Sequence, residues 1–297
     1  MKIAVASSST LAFPLMERLK AKHDVEYLIS TPDKPQKRSA SPIPNEFVLG
    51  LSDKEIFKPR TKVELTEVVR INPVDLVITL SYGQLVPEDA LNIPKYGWLN
   101  IHFSLLPKWR GPSPVQSALL NSETDGGISI FQLDKGMDTG PIYDQQLLVF
   151  GADETAYEIL NRASILSAAR ALDVIGLISQ GERPTPQPQH GESYSKKFVK
   201  EDGRLNFTKG LQSAYNHYRA LEHNPGVFFE NDGKRIVVKK ARPWYEINVP
   251  EGKLYCVDDM LVMGCGKGSL ELINVTPAGS KMMSGIEYAR GARIPKF

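Results

Sequence analysis

The sequence predicts an α/β protein: a doubly wound, Rossmann-like N-terminal domain followed by a smaller C-terminal β-barrel domain of the oligonucleotide-binding (OB) type. Three observations lead there. Strand-like and helix-like segments alternate through the first 183 residues. The Leu-Val-Ile core of Asp75–Leu80 has the continuity of a parallel strand buried on both faces. Five short β-type runs with turn signals follow a proline-broken stretch. With 297 residues, 41% hydrophobic and 24% charged, the composition is that of a folded, water-soluble chain of one or two domains.

Taken in order, Lys2–Ala6 is a short apolar strand, Leu11–Lys22 has helical spacing through Leu15, Met16 and Leu19, and Val25–Ile29 is a second apolar run, which completes one βαβ unit. Ser9 or Thr10 is the candidate helix cap. A helical pattern at Lys62–Ile71 precedes the strand Asp75–Leu80, and Trp98–Phe103 continues the sheet. Pro114–Leu120 starts a helix at proline, Ile128–Leu133 and Ile142–Phe150 read as strands, and Ala156–Ile178 is a long amphipathic helix. Alternating prolines in Glu182–Gly191 then break the pattern and favour extended geometry. The expected division is therefore a catalytic domain over 1–183, a connector over 184–204 that reads most simply as a spacer, and a second domain over 205–297. In that last stretch Leu211–His223 is helical, and Val227–Phe229, Arg235–Ala241, Lys253–Cys256, Leu261–Met263 and Leu270–Val275 are the short strands.

Composition excludes several classes. No apolar run reaches the roughly 18 residues of a membrane span, and Met1-Lys2 leads straight into the strand, so neither a span nor a signal peptide is expected and the cytoplasm is the expected compartment. Cys256 and Cys265 have no histidine near them, and His23, His190, His217 and His223 are scattered, so no metal is expected. The last 93 residues carry 13 basic against 9 acidic side chains, a modest excess that neither demands nor forbids a polyanionic partner.

The first strand ends in Ala6-Ser7-Ser8-Ser9-Thr10, without the glycines a dinucleotide pyrophosphate needs, and G-x-S-x-G is absent. A nicotinamide oxidoreductase and a serine hydrolase both lose their support. Asn100 and His102, two apart on a strand, share a face at the carboxyl end, where open α/β sheets place their sites. An amide donor for a developing oxyanion beside a titratable imidazole is what acyl transfer requires. Asp138, in the glycine-bounded Gly136-Met137-Asp138-Thr139-Gly140, can orient that imidazole, fix its tautomer and favour its protonated form or, alternatively, bond its own turn. The implied reaction is direct transfer, with neither a covalent intermediate nor a metal.

Asn100-x-His102-x-Ser104-Leu105-Leu106-Pro107, then Arg110-Gly111, Pro114 and Gln132-Leu133-Asp134-x-Gly136-Met137-Asp138-Thr139-Gly140, resemble the signature of the folate-dependent formyltransferases, most closely the branch that acts on methionyl-tRNA. Thr276–Met283 and Tyr288–Gly291 are similar to that branch's closing strand and final helix, so the resemblance runs from about Lys2 to Arg293. It implies transfer of the formyl group of 10-formyltetrahydrofolate to the amine of initiator methionyl-tRNA for translation initiation, with a monomer as the expected state. It also implies catalytic roles for Asn100, His102 and Asp138, and a folate site at Ser104, Leu105, Leu106 and Pro107 with Tyr82 and Gly83. Nucleic-acid contacts would come from Lys37 and Arg38 in the basic insert Thr31–Pro42, from Lys196 and Lys197, and from Lys239. The Ser7–Thr10 turn departs from the family's usual Phe/Gly-Thr-Pro type. The proton donor to the leaving nitrogen, His102 itself or Asp138 through water, stays open at this stage. A formyltransferase for a small amine such as glycinamide ribonucleotide, and a noncatalytic RNA-binding protein, are the rival readings.

Overall fold

A computed structural model describes residues 1–33, 45–50 and 55–297. The chain divides into two compact units. The first comprises 1–114, 125–149 and 160–196, the second 115–124, 150–159 and 197–297. A linear cut in the connector does not anticipate the two short early segments that pack with the C-terminal residues.

The first unit is built on a seven-stranded sheet. Its strands are β1 (Lys2–Ser7), β2 (Asp24–Ile29), β3 (Glu55–Phe57), β4 (Leu76–Leu80), β5 (Trp98–His102), β6 (Asp125–Gln132) and β7 (Ile142–Val149), in the order β3-β2-β1-β4-β5-β6-β7. The first five run parallel, whereas β6 and β7 are antiparallel additions at one edge. All five residues of β4 are buried, as its unbroken apolar run requires. Helices α1 (Phe13–Lys20), α2 (Glu46–Leu49), α3 (Lys62–Ile71) and α4 (Glu88–Leu91) lie between the strands. Ser9 caps the short 3-10 turn before α1, its hydroxyl accepting from the Leu11 N–H. Strand order reverses at β1 and β4, and such a switch point opens a crevice at the carboxyl ends of the strands.

Further helices are α5 (Pro114–Leu120) and the 24-residue α6 (Ala156–Ser179). Residues 184–196 do not leave the first unit as a free spacer. Proline supplies no N–H, but the intervening residues carry backbone groups that need partners. Thr185 exchanges two hydrogen bonds with Ile142, at 2.7 and 2.8 Å, and Tyr194 forms a bridge beside Arg110.

In the second unit α7 (Leu211–Leu221) accompanies β8 (Val227–Asn231), β9 (Lys234–Trp244), β10 (Leu254–Val257), β11 (Met260–Gly264), β12 (Ser269–Pro277) and β13 (Met283–Ser284), followed by α8 (Gly285–Gly291). The sheet is antiparallel, in the order β10-β11-β12-β9-β8 with β13 on β12. No ladder joins β8 to β10 among the described residues, which is the partly open form of a small barrel. No described helix is long and apolar enough to cross a membrane.

Candidate active site

The site begins with strand alternation. Asn100 and His102 project to one face of β5, and both line a cavity of about 380 Å3, within the range of small-molecule sites. Its walls include Tyr82, Val86, Phe103, Leu133 and Met137, so a few polar groups converge in a largely apolar slot.

Asn100 is oriented from the neighbouring strand. The Thr79 hydroxyl on β4, 3.1 Å from the Leu99 carbonyl, lies 2.8 Å from Asn100 Oδ1. With the carbonyl end held there, Nδ2 is the polar atom left to donate to a ligand. His102 is buried, and its Nε2 lies 2.9 Å from the Trp109 carbonyl. A carbonyl can only accept, so Nε2 carries the proton and Nδ1 holds the lone pair of the neutral ring. Burial pushes the His102 pKa below its ordinary 6.5, while the Asp138 charge and the Trp109 carbonyl pull it partly back.

Asp138 arrives on the loop between β6 and β7. That loop leaves the sheet where the Leu133 N–H bonds the Trp98 carbonyl at 2.8 Å, then folds back along β5 to bring Asp138 Oδ2 within 3.7 Å of His102 Nδ1. At that distance the contact is electrostatic; the tautomer is set by Trp109 instead. Asp138 Oδ2 accepts a 2.7 Å hydrogen bond from the Gly111 N–H, so it ties two loops together. The turn-stabilising role belongs to Asp134, whose Oδ1 accepts from the Gly136 N–H at 2.9 Å and the Thr139 hydroxyl at 2.7 Å. Gly140 closes the loop where no side chain fits: a Cβ there would lie 1.8 Å from the Gln132 carbonyl oxygen.

The geometry thus brings Asn100, His102, Asp138, Tyr82 and Gly83 to one cavity. Ser104, Leu105, Leu106 and Pro107 are not among its lining residues. They form the turn that follows β5: the buried Ser129 hydroxyl donates to the Ser104 carbonyl at 2.6 Å and accepts from the Leu106 N–H at 3.0 Å, and the Ser104 hydroxyl donates to the Lys108 carbonyl at 2.6 Å. That turn delivers Trp109 to His102. Lys37 and Arg38 lie outside the described residues. Lys196 and Lys197 are exposed at the end of the first unit and the start of the second. Lys239 is exposed on β9.

Strict alternation predicts that neighbours on β9 point to opposite faces, so that only part of the Lys239–Arg242 run is presented. The structure presents only part of the run, but not by strict alternation. Val275 pairs with Val238 and Asn274 with Lys240, which leaves Lys239 as an unpaired extra residue, and Lys239, Lys240 and Arg242 are all exposed while Ala241 is buried. Arg242 is engaged by Glu271 and stacks over Trp244, so Lys239 and Lys240 are the freer charges of the run.

Sequence reasoning missed Thr79, Trp109 and Gly111. A hydroxyl in the middle of the apolar run Leu76–Leu80 was the available signal for Thr79; the Trp109 carbonyl leaves none, and Gly111 showed only as part of the Arg110-Gly111 motif, without its bond to Asp138.

The formyl transferase family matches residues 1–174, and its C-terminal domain matches 197–293. A methionyl-tRNA formyltransferase of Thermus thermophilus is 35% identical over 297 aligned residues, covering 98% of this chain and 96% of its own. Among solved structures, HypX from Aquifex aeolicus in complex with tetrahydrofolic acid superposes with a TM-score of 0.71 at 15% identity, covering 100% of this chain; the chain spans 48% of HypX. The methionyl-tRNA formyltransferase from Clostridium thermocellum has a TM-score of 0.60 at 19% identity, over 82% of this chain and 93% of its own.

Proposed function

From the premise that this chain belongs to the formyl transferase family, we propose that it transfers the formyl group of 10-formyltetrahydrofolate to the amine of initiator methionyl-tRNA, giving N-formylmethionyl-tRNA. The observation that carries the chemistry is the convergence of Asn100, His102 and Asp138 on one cavity. The acceptor follows from the Thermus thermophilus relative, whose identity extends through both domains.

The donor fits the cavity's character. A flat, largely apolar ring system needs apolar walls with a few fixed polar groups, and Tyr82, Val86, Phe103, Leu133 and Met137 provide the walls around Asn100, His102 and Asp138. Burial keeps the Tyr82 hydroxyl neutral by raising its pKa. As an unprotonated amine adds to the formyl carbon, charge gathers on the carbonyl oxygen, and Asn100 Nδ2 donates to it. The attacking nitrogen sheds a proton. His102 is neutral with Nδ1 open, so it accepts that proton and returns it to the departing nitrogen as the carbon–nitrogen bond breaks, which balances the exchange. Asp138, 3.7 Å away, stabilises the imidazolium between the two transfers.

The division of labour we propose gives 1–183 the chemistry and 205–297 the nucleic acid, with 184–204 between them. Lys239 and Lys240, together with Lys197 and the basic insert carrying Lys37 and Arg38, would neutralise backbone phosphates. The test is incubation with labelled 10-formyltetrahydrofolate and either charged initiator tRNA or glycinamide ribonucleotide. Label on the tRNA supports the reading. Label on the ribonucleotide alone replaces the acceptor, and RNA binding without transfer to either replaces the enzyme with a binding protein.

A further inference from the structure

The connector was expected to be a spacer, yet one of its side chains reaches into the loops around the cavity. Gln187 lies among Pro184, Pro186 and Pro188, and it is half-buried while Pro186, Pro188, Gln189 and His190 are exposed. Its amide makes three short hydrogen bonds. Oε1 accepts from Arg110 Nη2 at 2.7 Å, and Nε2 donates to the carbonyls of Asp138 and Gly140, both at 2.8 Å. Both N–H groups are therefore spent on the Asp138 loop and the oxygen on the Arg110 loop.

These partners matter because of what they carry. Asp138 has a left-handed backbone, φ 56°, which a residue with a side chain holds only when its surroundings enforce it. Gly111, next to Arg110, donates to the Asp138 carboxylate. Gln187 thus holds the backbone at the Asp138 end of the Asp138–Gly111 hydrogen bond and the Arg110 guanidinium, one residue from its other end. The connector reaches His102 by a second route as well. The Ser193 hydroxyl accepts from the Trp109 N–H at 2.9 Å, the Arg110 N–H bonds the Ser193 carbonyl at 2.8 Å, and the Ser195 N–H bonds the Arg110 carbonyl at 2.7 Å. Trp109 is the residue whose carbonyl holds His102 Nε2. A Cβ at Gly111 would lie 2.6 Å from the Ser195 carbonyl oxygen, so the approach of the connector is itself built into the sequence.

We infer that Gln187 is a positioning residue for formyl transfer: a connector side chain that holds Asp138 against His102 by clamping the loops of Asp138 and Arg110 together. This rests on the roles assigned to His102 and Asp138 above. Misplacing a reacting geometry by about 1 Å can cost on the order of a hundredfold, so loss of the clamp acts on turnover rather than on substrate affinity.

The experiment compares Gln187→Ala, Gln187→Glu and Gln189→Ala with the wild type, by formylation kinetics and by NMR titration of the His102 imidazole in the folded protein. Gln187→Glu keeps an acceptor for Arg110 and loses both donors to the Asp138 loop. The expected result is a kcat lowered about 10- to 100-fold in both Gln187 variants, with KM values within about twofold. In Gln187→Ala, His102 titrates at lower pH than in the wild type, because Asp138 is the charge that raises it; Gln187→Glu brings a carboxylate of its own and is read by kcat alone. Gln189→Ala, an exposed position two residues on, leaves both readouts unchanged. Wild-type kcat and wild-type His102 titration in folded Gln187→Ala overturn the inference. So does a Gln187→Glu protein that behaves as wild type, since the donors would then be idle. The titration needs no substrate, so it decides the clamp even if the wild type transfers no formyl group, an outcome that would strike the functional reading instead.

Discussion

The β5 cavity and the β9 surface solve opposite problems. Around the cavity, polar groups are few, buried or half-buried, and held: Thr79 fixes Asn100, Trp109 fixes His102, and Gly111 fixes Asp138. Along β9, Lys239, Lys240 and Arg242 are exposed, and two register shifts in the β9–β12 ladder set how they face. A transition state rewards donors already in place in a water-poor site, because they need no rearrangement as charge develops. A phosphate backbone rewards charge near the surface, whose gain comes from released counterions and tolerates imprecise placement. The cavity is therefore sensitive to single atoms, the surface only to totals.

The comparison can be broken by substitution, beginning with the cavity. His102→Ala is expected to lower the single-turnover rate by about 10²- to 10⁴-fold with tRNA affinity retained; equal losses in rate and affinity would mean that the two regions are not separable. Asn100→Ala removes one oxyanion donor and should cost about 3 to 4 kcal/mol of barrier, again read in single turnover. Thr79→Val leaves Asn100 in place but unanchored, and a loss of about two- to tenfold in kcat is expected, in keeping with one hydrogen bond of net worth about 1 kcal/mol. Because burial keeps His102 neutral below its ordinary 6.5, the acid limb of kcat should lie below that value. Asp138→Asn, which removes a charge that raises the His102 pKa, should move the limb further down in its residual rate–pH profile. On the surface the effects are smallest per residue. Lys239→Ala and Lys240→Ala should each reduce the slope of log affinity against log salt by about one while leaving kcat at saturating tRNA unchanged.

Much of this was legible in the chain itself. β4 declared itself through an unbroken apolar run, and Asn100 and His102 through a two-residue spacing on a strand, because periodicity and local motif are properties of adjacent residues. Asp138 stood out through its bounding glycines, although its role as a tie to Gly111, rather than as the holder of the imidazole tautomer, depended on how the β6–β7 loop folds back. What stayed hidden is what runs through backbone atoms or through distant segments. The Trp109 carbonyl has no residue type to betray it. Gln187 sits in a proline-rich stretch whose composition says only that no helix continues there. The extra residue at Lys239 is a matter of register between two strands, and neither strand alone encodes it.

Strand β5 is hydrogen-bonded on both sides, parallel to β4 and antiparallel to β6. A slip of one residue would turn Asn100 and His102 together to the far side of the sheet. The two groups are thus either both placed or both lost, and no half-assembled form retains one of them. Specific activity of a preparation then counts correctly paired molecules, and a variant that disturbs the β5 register should show fewer working copies rather than slower ones.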